Sequence, residues 1–291
     1  MSNDLRLSDA MLSEILRELS RNDQIHDRDV LWDWYLSRVE RVNLGDSSNI
    51  ILKRSRWPLV DEGRVFQHLS QSNIPLPNLY FARVTDNELT LLMEDLGPII
   101  REPTLEEAAE FAVRAHAAVP PEGIPVFDEE ALRSLPEKIS NGIETLTERG
   151  RWHPSDRLHD LLEWISRYSS ELSQDAAMPP FGLCHSEYHP TSLHIGTMKT
   201  ALVDWARAFI GPGLLDLASW FGTFTPPDSE ACRHLIELYV EAGGDSHALS
   251  DRGSLPAEDW AFFWHRIWVV DWFVASCLNW TNDESQDHIW Q

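Results

Sequence analysis

The sequence contains little cysteine, and its cysteines form no pattern typical of covalent or metal cross-links. Cys184, Cys232 and Cys277 are widely separated in a chain of 291 residues, and none belongs to a C-x-x-C pair. We therefore expect neither a disulfide framework nor a structural zinc site. The N-terminus is polar and lacks the apolar core of a secretory signal, which together with the cysteine pattern predicts a cytoplasmic protein.

A long uncharged hydrophobic run is also lacking. Residues 260–280 come closest, but they include His265, Arg266 and Asp271. Because charge near the centre of a membrane helix is costly in lipid, this stretch predicts a buried helix rather than a membrane span.

Basic residues are scarce. The 24 lysines and arginines are outnumbered by 47 acidic residues, and the formal net charge is -23. Such a surface repels phosphate backbones and anionic lipids, which argues against nucleic-acid binding and membrane-surface binding. The same charge would attract a cationic ligand, but solubility alone explains it equally well.

Hydrophobic periodicity predicts a small mixed lobe at the start of the chain. We expect a helix over 8–20 and a second helix from Pro58 to about Ser70. Two β-hairpins are expected around the turn residues Gly45-Asp46 and Asp86-Asn87.

The rest of the chain is predicted to be mainly helical. After a hinge at 94–97, a capping-box signature begins at Thr104. Residues 181–210 have strand and loop character. The predicted helices are 104–116, 129–147, 155–173, 214–221, 229–242 and 257–280. The predicted class is α+β, with a boundary between residues 96 and 97.

Three segments carry residues with the spacing of phosphoryl-transfer sites. His185, Glu187 and Ser192 follow one another at offsets 0, 2 and 7, as do the His, the base Asp and the metal-binding Asn of kinase catalytic loops. Asp204 ends the apolar run 201–203, where kinases carry a Mg²⁺-binding Asp. Lys53 ends another apolar strand, and Glu62 in the next helix is placed to pair with it.

These segments, in this order and spacing, resemble the aminoglycoside phosphotransferase family of kinase-like enzymes over about residues 35–220. The family pattern H-G-D-x-H-P-x-N matches the loop at His185, His189 and Pro190. The pattern G-x-x-x-x-D-L-A matches residues 211–218, and the nucleotide-binding hinge of the family resembles residues 91–97.

The resemblance implies a bilobal, protein-kinase-like fold, with a nucleotide-binding lobe at 1–96 and a helical lobe at 97–291 that carries the catalytic loop and the acceptor site. It implies ATP and Mg²⁺ as cofactors, and we expect the key charged residues to face a shared site. The residues and their implied roles are Glu187 as catalytic base, Lys53, Glu62, Glu94 and Leu96 as nucleotide contacts, Asp204 and Ser192 as metal ligands, and His185, His189 and Asp216 as supports of the loop.

Three departures from the family pattern bear on activity. Glu187 replaces Asp and adds about 1.5 Å of reach, and a displacement of about 1 Å can lower a rate about a hundredfold. Ser192 replaces Asn, whose amide oxygen is the better metal ligand. Residues 1–44 contain no glycine, although a Gly-rich phosphate loop is expected around residues 34–37.

The acceptor site is the least defined. Tryptophans recur every fourth residue from Trp260 to Trp272, which fits either core packing or an aromatic cage for a cation. Asp271, beside Trp272, predicts either a contact to a ligand amine or an internal hydrogen bond. In the C-terminal tail, Asp283 and Glu284 fit either a cationic site or a frayed terminus.

Two functions therefore stay open, and so does the oligomeric state. The first is ATP-dependent phosphorylation of a hydroxyl on a small, amine-bearing molecule such as an aminoglycoside or another antibiotic. Lys53, Glu62 and Asp204 favour it. The alternative is a degenerate kinase-like binding protein without transfer activity, which Glu187, Ser192 and the missing glycines favour.

Overall fold

The computed structural model describes residues 5–21, 24–45, 48–153 and 155–280. The chain forms two compact units, each built from several segments. The first unit contains Met1–Thr104, Ala118–Ile124 and Pro190–Ala208, and the second contains Leu105–Ala117, Pro125–His189 and Phe209–Gln291. The domain boundary between residues 96 and 97 stays a prediction.

The elements agree with the expected class. In chain order, the helices are α1 (Asp9–Glu18), α2 (Glu62–Leu69), α3 (Leu105–His116), α4 (Glu129–Glu148), α5 (Asp156–Leu172), α6 (Leu214–Ser219), α7 (Ser229–Glu241) and α8 (Ala257–Asn279). The strands are β1 (Ile25–Asp33), β2 (Ser37–Leu44), β3 (Asn49–Arg56), β4 (Leu79–Thr85), β5 (Glu88–Glu94), β6 (Phe181–Cys184), β7 (Leu193–Ile195), β8 (Thr200–Leu202) and β9 (Phe209–Pro212). The predicted α+β class is confirmed.

In the first unit, β1 to β5 form an antiparallel sheet in the order β1-β2-β3-β5-β4. Successive side chains of a strand point to opposite faces. On one face, α1 packs through Leu12 and Leu16 against a cluster that includes Ile50 and Leu52 of β3. Ile51 and Lys53, which alternate with Ile50 and Leu52 along β3, therefore lie on the opposite face.

The opposite face of the sheet carries α2. Its residues Val65, Phe66 and Leu69 are buried, and the helix lies against β4 and β5. A 3₁₀ turn, Leu59–Asp61, leads into the helix. Glu62 is the first residue of α2. It therefore lies on the same face of the sheet as Lys53.

Strand β1 was not predicted. It pairs with β2 at the edge of the sheet, and seven of its nine residues are exposed. Because most side chains of this edge strand are exposed, it has no need to alternate apolar and polar residues, so periodicity gives no signal for it. The hairpin between β4 and β5 was predicted, and its turn residues Asp86 and Asn87 both have positive φ, as the type I′ turn requires. Of the other predicted turn, Asp46 lies outside the described residues.

The second unit is mainly helical and is organised around α8. The side chains of Trp260 and Trp264 are fully buried. Their indole N–H groups both donate to the carbonyl of Leu172, at 2.8 and 2.9 Å. Core packing thus accounts for the recurring tryptophans at these positions. Across the described ranges, no helix has the length and apolar character needed to cross a bilayer.

Two short antiparallel strand pairs occupy the sequence between α5 and α6. Strands β6 and β9 pair in the second unit, and β7 and β8 pair in the first. Their importance is positional, because His185 directly follows β6, Ser192 directly precedes β7, and Asp204 follows β8 by two residues.

Packing of α4 against α8 can be tested at Gly142. A Cβ atom at this position would lie 2.3 Å from Cγ1 of Val274, a β-branched side chain with little rotameric freedom. Replacing a helix glycine by alanine normally stabilises a protein by about 1 kcal/mol. We expect Gly142→Ala to do the opposite and lower the free energy of unfolding by about 1–3 kcal/mol through overpacking.

Urea denaturation measures this change. Asn141→Ala, at the exposed neighbouring position, is the matched control and is expected to be neutral or stabilising. A Gly142→Ala variant more stable than the parent protein would contradict the close contact.

Candidate active site

The ammonium group of Lys53 lies between two carboxylates. Its Nζ donates to Oε1 of Glu62 at 2.8 Å and to Oδ1 of Asp204 at 2.7 Å. All three residues belong to the first unit. The pairing of Lys53 with Glu62 and its contact with Asp204 are thus present in the structure, while their chemical roles stay predictions.

The environment of Lys53 keeps its amine charged. The side chain is only 9% exposed, and that of Glu62 only 1%. Burial alone would lower the pKa of Lys53, but the carboxylates of Asp204 and Glu62 raise it above its ordinary value of 10.5. The raised pKa favours a charged amine on a side chain that is itself largely buried.

Asp204 differs from Glu62 in its exposure. Its side chain is 49% exposed, and its backbone has the left-handed φ of 69°, which few residues other than glycine adopt. Its neighbour Val203 donates its backbone N–H to the carbonyl of Ser192 at 2.9 Å. The β7–β8 hairpin thereby places Ser192 beside the Asp204 segment, although the serine is itself only 6% exposed.

A cavity of about 230 Å³ opens beside Lys53 and Asp204 within the first unit. The sheet contributes an apolar wall, β7 contributes His194, and Val203 follows directly after β8. Burial lowers the pKa of His194 despite the nearby carbonyl of Leu96, which favours a neutral imidazole. The apolar lining from the sheet consists of Leu31, Val39, Ile51 and Met93.

Glu94 and Leu96, the predicted hinge contacts, both line this cavity. The carboxylate of Glu94 is already engaged, because it accepts from Lys199 at 2.9 Å and from the backbone N–H of Asn78 at 2.9 Å. The backbone N–H of Leu96 donates to no other residue of the described ranges. The backbone N–H of Glu94 is engaged as well, because it donates to the carbonyl of Asn78 at 2.9 Å.

Sequence reasoning missed an ion pair at the same cavity. Nε of Arg41 donates to Asp95 at 2.7 Å, and Asp95 also accepts from the backbone N–H of Gly97 at 3.0 Å. The two charged residues are 54 positions apart and follow no recognisable pattern. This pair ties β2 to the segment that contains Leu96.

The turn between β1 and β2 occupies the place where a Gly-rich loop was expected. It is closed by a hydrogen bond from the backbone N–H of Trp34 to the carbonyl of Ser37 at 2.8 Å. The residues between them are Tyr35 and Leu36, and Trp34 packs edge-on against Tyr35 with ring centroids 4.5 Å apart. The hairpin exists, but it is built with bulky side chains.

The catalytic-loop segment of the second unit follows β6. His185 is fully buried, and His189 contacts the carbonyl of Ser219 through Nδ1 at 2.9 Å. Ser186 has a φ of 78°, and it stands where the family pattern has glycine, the residue that adopts this conformation most readily. Glu187 follows Ser186 directly, and the shared site expected for Glu187, Lys53 and Asp204 stays a prediction.

Asp216 holds this loop from the first turn of α6. Its carboxylate accepts the backbone N–H of His185 at 2.6 Å and that of Ser186 at 2.8 Å. Burial alone would raise the pKa of Asp216, but its contacts with His116 and His185 lower it below the ordinary value of 3.8. The loop is therefore fixed by a buried negative charge.

Behind Asp216 lies His116, which sequence reasoning treated only as the end of a helix. Its Nε2 is 3.4 Å from Oδ2 of Asp216, and its Nδ1 is 3.3 Å from the hydroxyl of Tyr239. A Cβ atom on Gly213 would lie 2.5 Å from His116, so a glycine is required there. His116, Cys184 and Asp216 are also the one group of described residues with a spacing that could suit a metal.

The acceptor candidates are only partly described. Asp271 is paired with Lys138 at 2.7 Å. Of the two expectations for Asp271, a ligand amine or an internal hydrogen bond, the structure contains the internal contact. Trp272 packs against Trp280 with ring centroids 4.8 Å apart. Asp283 and Glu284 lie outside the described residues.

Comparison with known proteins identifies relatives at the level of family and fold. The model of the phosphotransferase enzyme family (APH) matches residues 31–272, whereas no curated protein matches the sequence. The macrolide 2'-phosphotransferase MphH of Brachybacterium faecium has a TM-score of 0.63 at 15% identity, over 96% of both chains. A choline/ethanolamine kinase family protein of Mesorhizobium loti has a TM-score of 0.61 at 14% identity, over 90% of this chain and 84% of that one.

A third structure, the streptomycin-ATP-APH(2")-IIa ternary complex, has a TM-score of 0.59 at 11% identity, over 98% of this chain and 95% of that one. At such low identities the likeness shows the fold alone. The predicted protein-kinase-like fold is confirmed.

The bracing role of Asp216 can be tested through pH. We expect Asp216→Asn to lower the free energy of unfolding at pH 7 by about 2–3 kcal/mol, because an amide cannot accept both backbone N–H groups as the carboxylate does. A carboxylate whose pKa is lowered on folding stabilises the protein above its unfolded pKa and loses that contribution as pH falls through its folded pKa. The difference between the two proteins should therefore shrink below about pH 3.8.

Urea denaturation at pH 7 and at several values below pH 4 would measure this. Asp251→Asn, at an exposed position, is the control and should match the parent protein throughout. Equal stability of the parent protein and Asp216→Asn at pH 7 would rule out the brace.

Proposed function

Because the chain belongs to the phosphotransferase enzyme family, we propose that it transfers a phosphoryl group from ATP, with Mg²⁺, to a hydroxyl of a small, amine-bearing molecule. The observation that carries the proposal is the Lys53 ammonium held between Glu62 and Asp204. Phosphoryl transfer depends mostly on positioning and on neutralising phosphate charge. A largely buried amine whose pKa is raised by two carboxylates suits that task.

The residues around the cavity fit a nucleotide. A base would lie against the apolar sheet wall, with His194 on the hairpin side and the backbone N–H of Leu96 available as a donor. Lys53 would contact the phosphates, as the family pattern implies. The turn at Trp34 to Ser37 would cover them with side chains instead of glycine amides.

Two residues on either side of the β7–β8 hairpin, Ser192 and Asp204, fit a divalent cation. Carboxylate oxygens are the ligands that Mg²⁺ prefers, and Asp204 is half exposed beside Lys53. Ser192 would supply a neutral oxygen. When bound, ATP would supply the phosphoryl group and Mg²⁺ the charge that neutralises the phosphates, and Lys53 and Asp204 would be the residues that hold them.

We assign Glu187 as the group that orients the acceptor hydroxyl and takes its proton. A carboxylate at this point of the loop matches the role of Asp in the family pattern. The buried brace at Asp216 keeps the backbone just before Glu187 fixed. The longer Glu side chain would set the acceptor oxygen farther from the loop backbone.

The amine-bearing acceptor is supported by charge and by the relatives. The net charge of -23 would attract a cationic substrate. The structural neighbours are named for streptomycin, for macrolides and for choline or ethanolamine. An aminoglycoside or another antibiotic with an amino group is therefore the first acceptor to test.

A binding protein without transfer activity is the second candidate. The specific observation in its favour is the turn at Trp34 to Ser37, which offers no glycine amides to phosphate. Nucleotide binding without turnover across a panel of amine-bearing acceptors would support this candidate over the enzyme.

The metal role of Asp204 is tested by nucleotide binding. We expect Asp204→Asn to weaken Mg²⁺-dependent binding of ATP by at least about tenfold, because a neutral amide is a poorer ligand for Mg²⁺. Isothermal titration calorimetry with and without Mg²⁺ measures the effect. Glu14→Gln, an exposed change on α1, is the control and should bind as the parent protein does. Undiminished Mg²⁺-dependent binding by Asp204→Asn would refute the assignment.

The role of Glu187 is tested by separating binding from transfer. We expect Glu187→Gln to bind ATP within about threefold of the parent protein but to lose about a hundredfold or more in turnover, since loss of general-base help has effects of this size. Calorimetry and a phosphate-transfer assay on the same preparation would distinguish the two. Unchanged turnover would show that Glu187 is not the base.

A further inference from the structure

Helix α5 of the second unit has two apolar faces, of which only one is covered. Leu162 and Ile165 are buried at 3% and 2% exposure, on the side that meets α4. Leu161, Trp164 and Tyr168 are 50%, 48% and 40% exposed. Positions three and four residues apart lie on one face of a helix, and the rings of Trp164 and Tyr168 are in contact, with centroids 5.1 Å apart.

Charged residues flank these three side chains on the same helical face. Arg157 lies toward the N-terminal end, Glu171 toward the C-terminal end, and Asp160 beside Leu161. We call this set the α5 ridge: Arg157, Asp160, Leu161, Trp164, Tyr168 and Glu171. All six are exposed, and the structure gives none of the three charged members an ion pair with any described residue.

The neighbouring charges behave differently. Glu163 and Arg167, which lie off the ridge, pair with each other at 2.8 Å. Among the described residues, the charges of the ridge are thus the ones that border exposed aromatic surface and have no ion-pair partner. Contiguous exposed apolar side chains rimmed by polar groups are a feature of interaction surfaces when the patch is large, and a second copy of the ridge would double its extent.

The order of the ridge residues is self-complementary. Trp164 is seven residues from both Arg157 and Glu171, and four residues from both Asp160 and Tyr168. If two α5 helices lie antiparallel with Trp164 at the two-fold axis, Arg157 of each copy meets Glu171 of the other. The carboxylate of Asp160 then faces the phenol of Tyr168. A parallel arrangement would instead set Arg157 against Arg157.

We propose that two copies of this chain associate through their α5 ridges in this antiparallel arrangement. The interface is isologous, because the same surface of each copy is used and the contacts occur twice. Two ion pairs lie at its ends, about 21 Å apart at 1.5 Å per residue, and aromatic side chains fill its centre.

The association is weak. One helix pair buries less surface than the roughly 1,200 Å² of a standard stable interface. The net charge of -23 on each copy adds repulsion, which physiological salt screens beyond about 8 Å. We therefore expect a weak dimer, with a dissociation constant of the order of 10–100 µM.

A charge-swap series tests the pairing. Sedimentation equilibrium of the full chain from about 1 to 200 µM covers the range where so small an interface associates. The variants are Arg157→Glu, Glu171→Arg, the double swap, and Trp164→Ala. Glu241→Arg, at the exposed end of α7, alters the net charge as Glu171→Arg does and serves as the matched control.

We expect each single swap to weaken the dimer by about tenfold, since it sets like charges against each other at both ends. The double swap should restore the dimer to within about threefold of the parent protein. Trp164→Ala should weaken it by about tenfold or more. A protein that is monomeric at every concentration, or a double swap as weak as the single swaps, would overturn the proposal.

Discussion

The arrangement on which the first unit depends is the triad of one amine and two carboxylates at Lys53. Burying a charge is costly unless it is paired, and Glu62 and Asp204 supply that pairing from a helix and from a separate hairpin. Lys53 lies on the face of the sheet that carries α2, and the β7–β8 hairpin positions Asp204 next to Lys53. Elements far apart in sequence are therefore held in register by one charged contact.

A second buried charge organises the second unit. Asp216 accepts two backbone N–H groups of the loop after β6, and His116 and Tyr239 lie behind it. Both centres follow the same rule, in which one buried ion is surrounded by groups that satisfy it. They differ in what they expose. Asp204 remains half exposed next to a cavity, whereas Asp216 is sealed.

Much of this could be predicted from the sequence, because periodicity and motif spacing report local constraints. The helices and the hairpin of β4 and β5 follow from apolar spacing and turn residues. Strand β1 gave no signal, because it is an exposed edge. The Arg41–Asp95 pair and the position of His116 could not be predicted either, because each depends on residues that only the fold brings together. Similarly, the Lys138 partner of Asp271 lies 133 residues away.

The left-handed backbone of Ser186 bears on when the entropy cost of ordering this loop is incurred, during folding or on ligand binding. The freedom of this residue is given up when the chain folds, because Asp216 already fixes its amide and that of His185. Ordering a flexible loop at the moment of binding would subtract from affinity. A loop that is rigid beforehand lets the contacts of an arriving molecule count in full, and it also leaves little tolerance for molecules of a different shape.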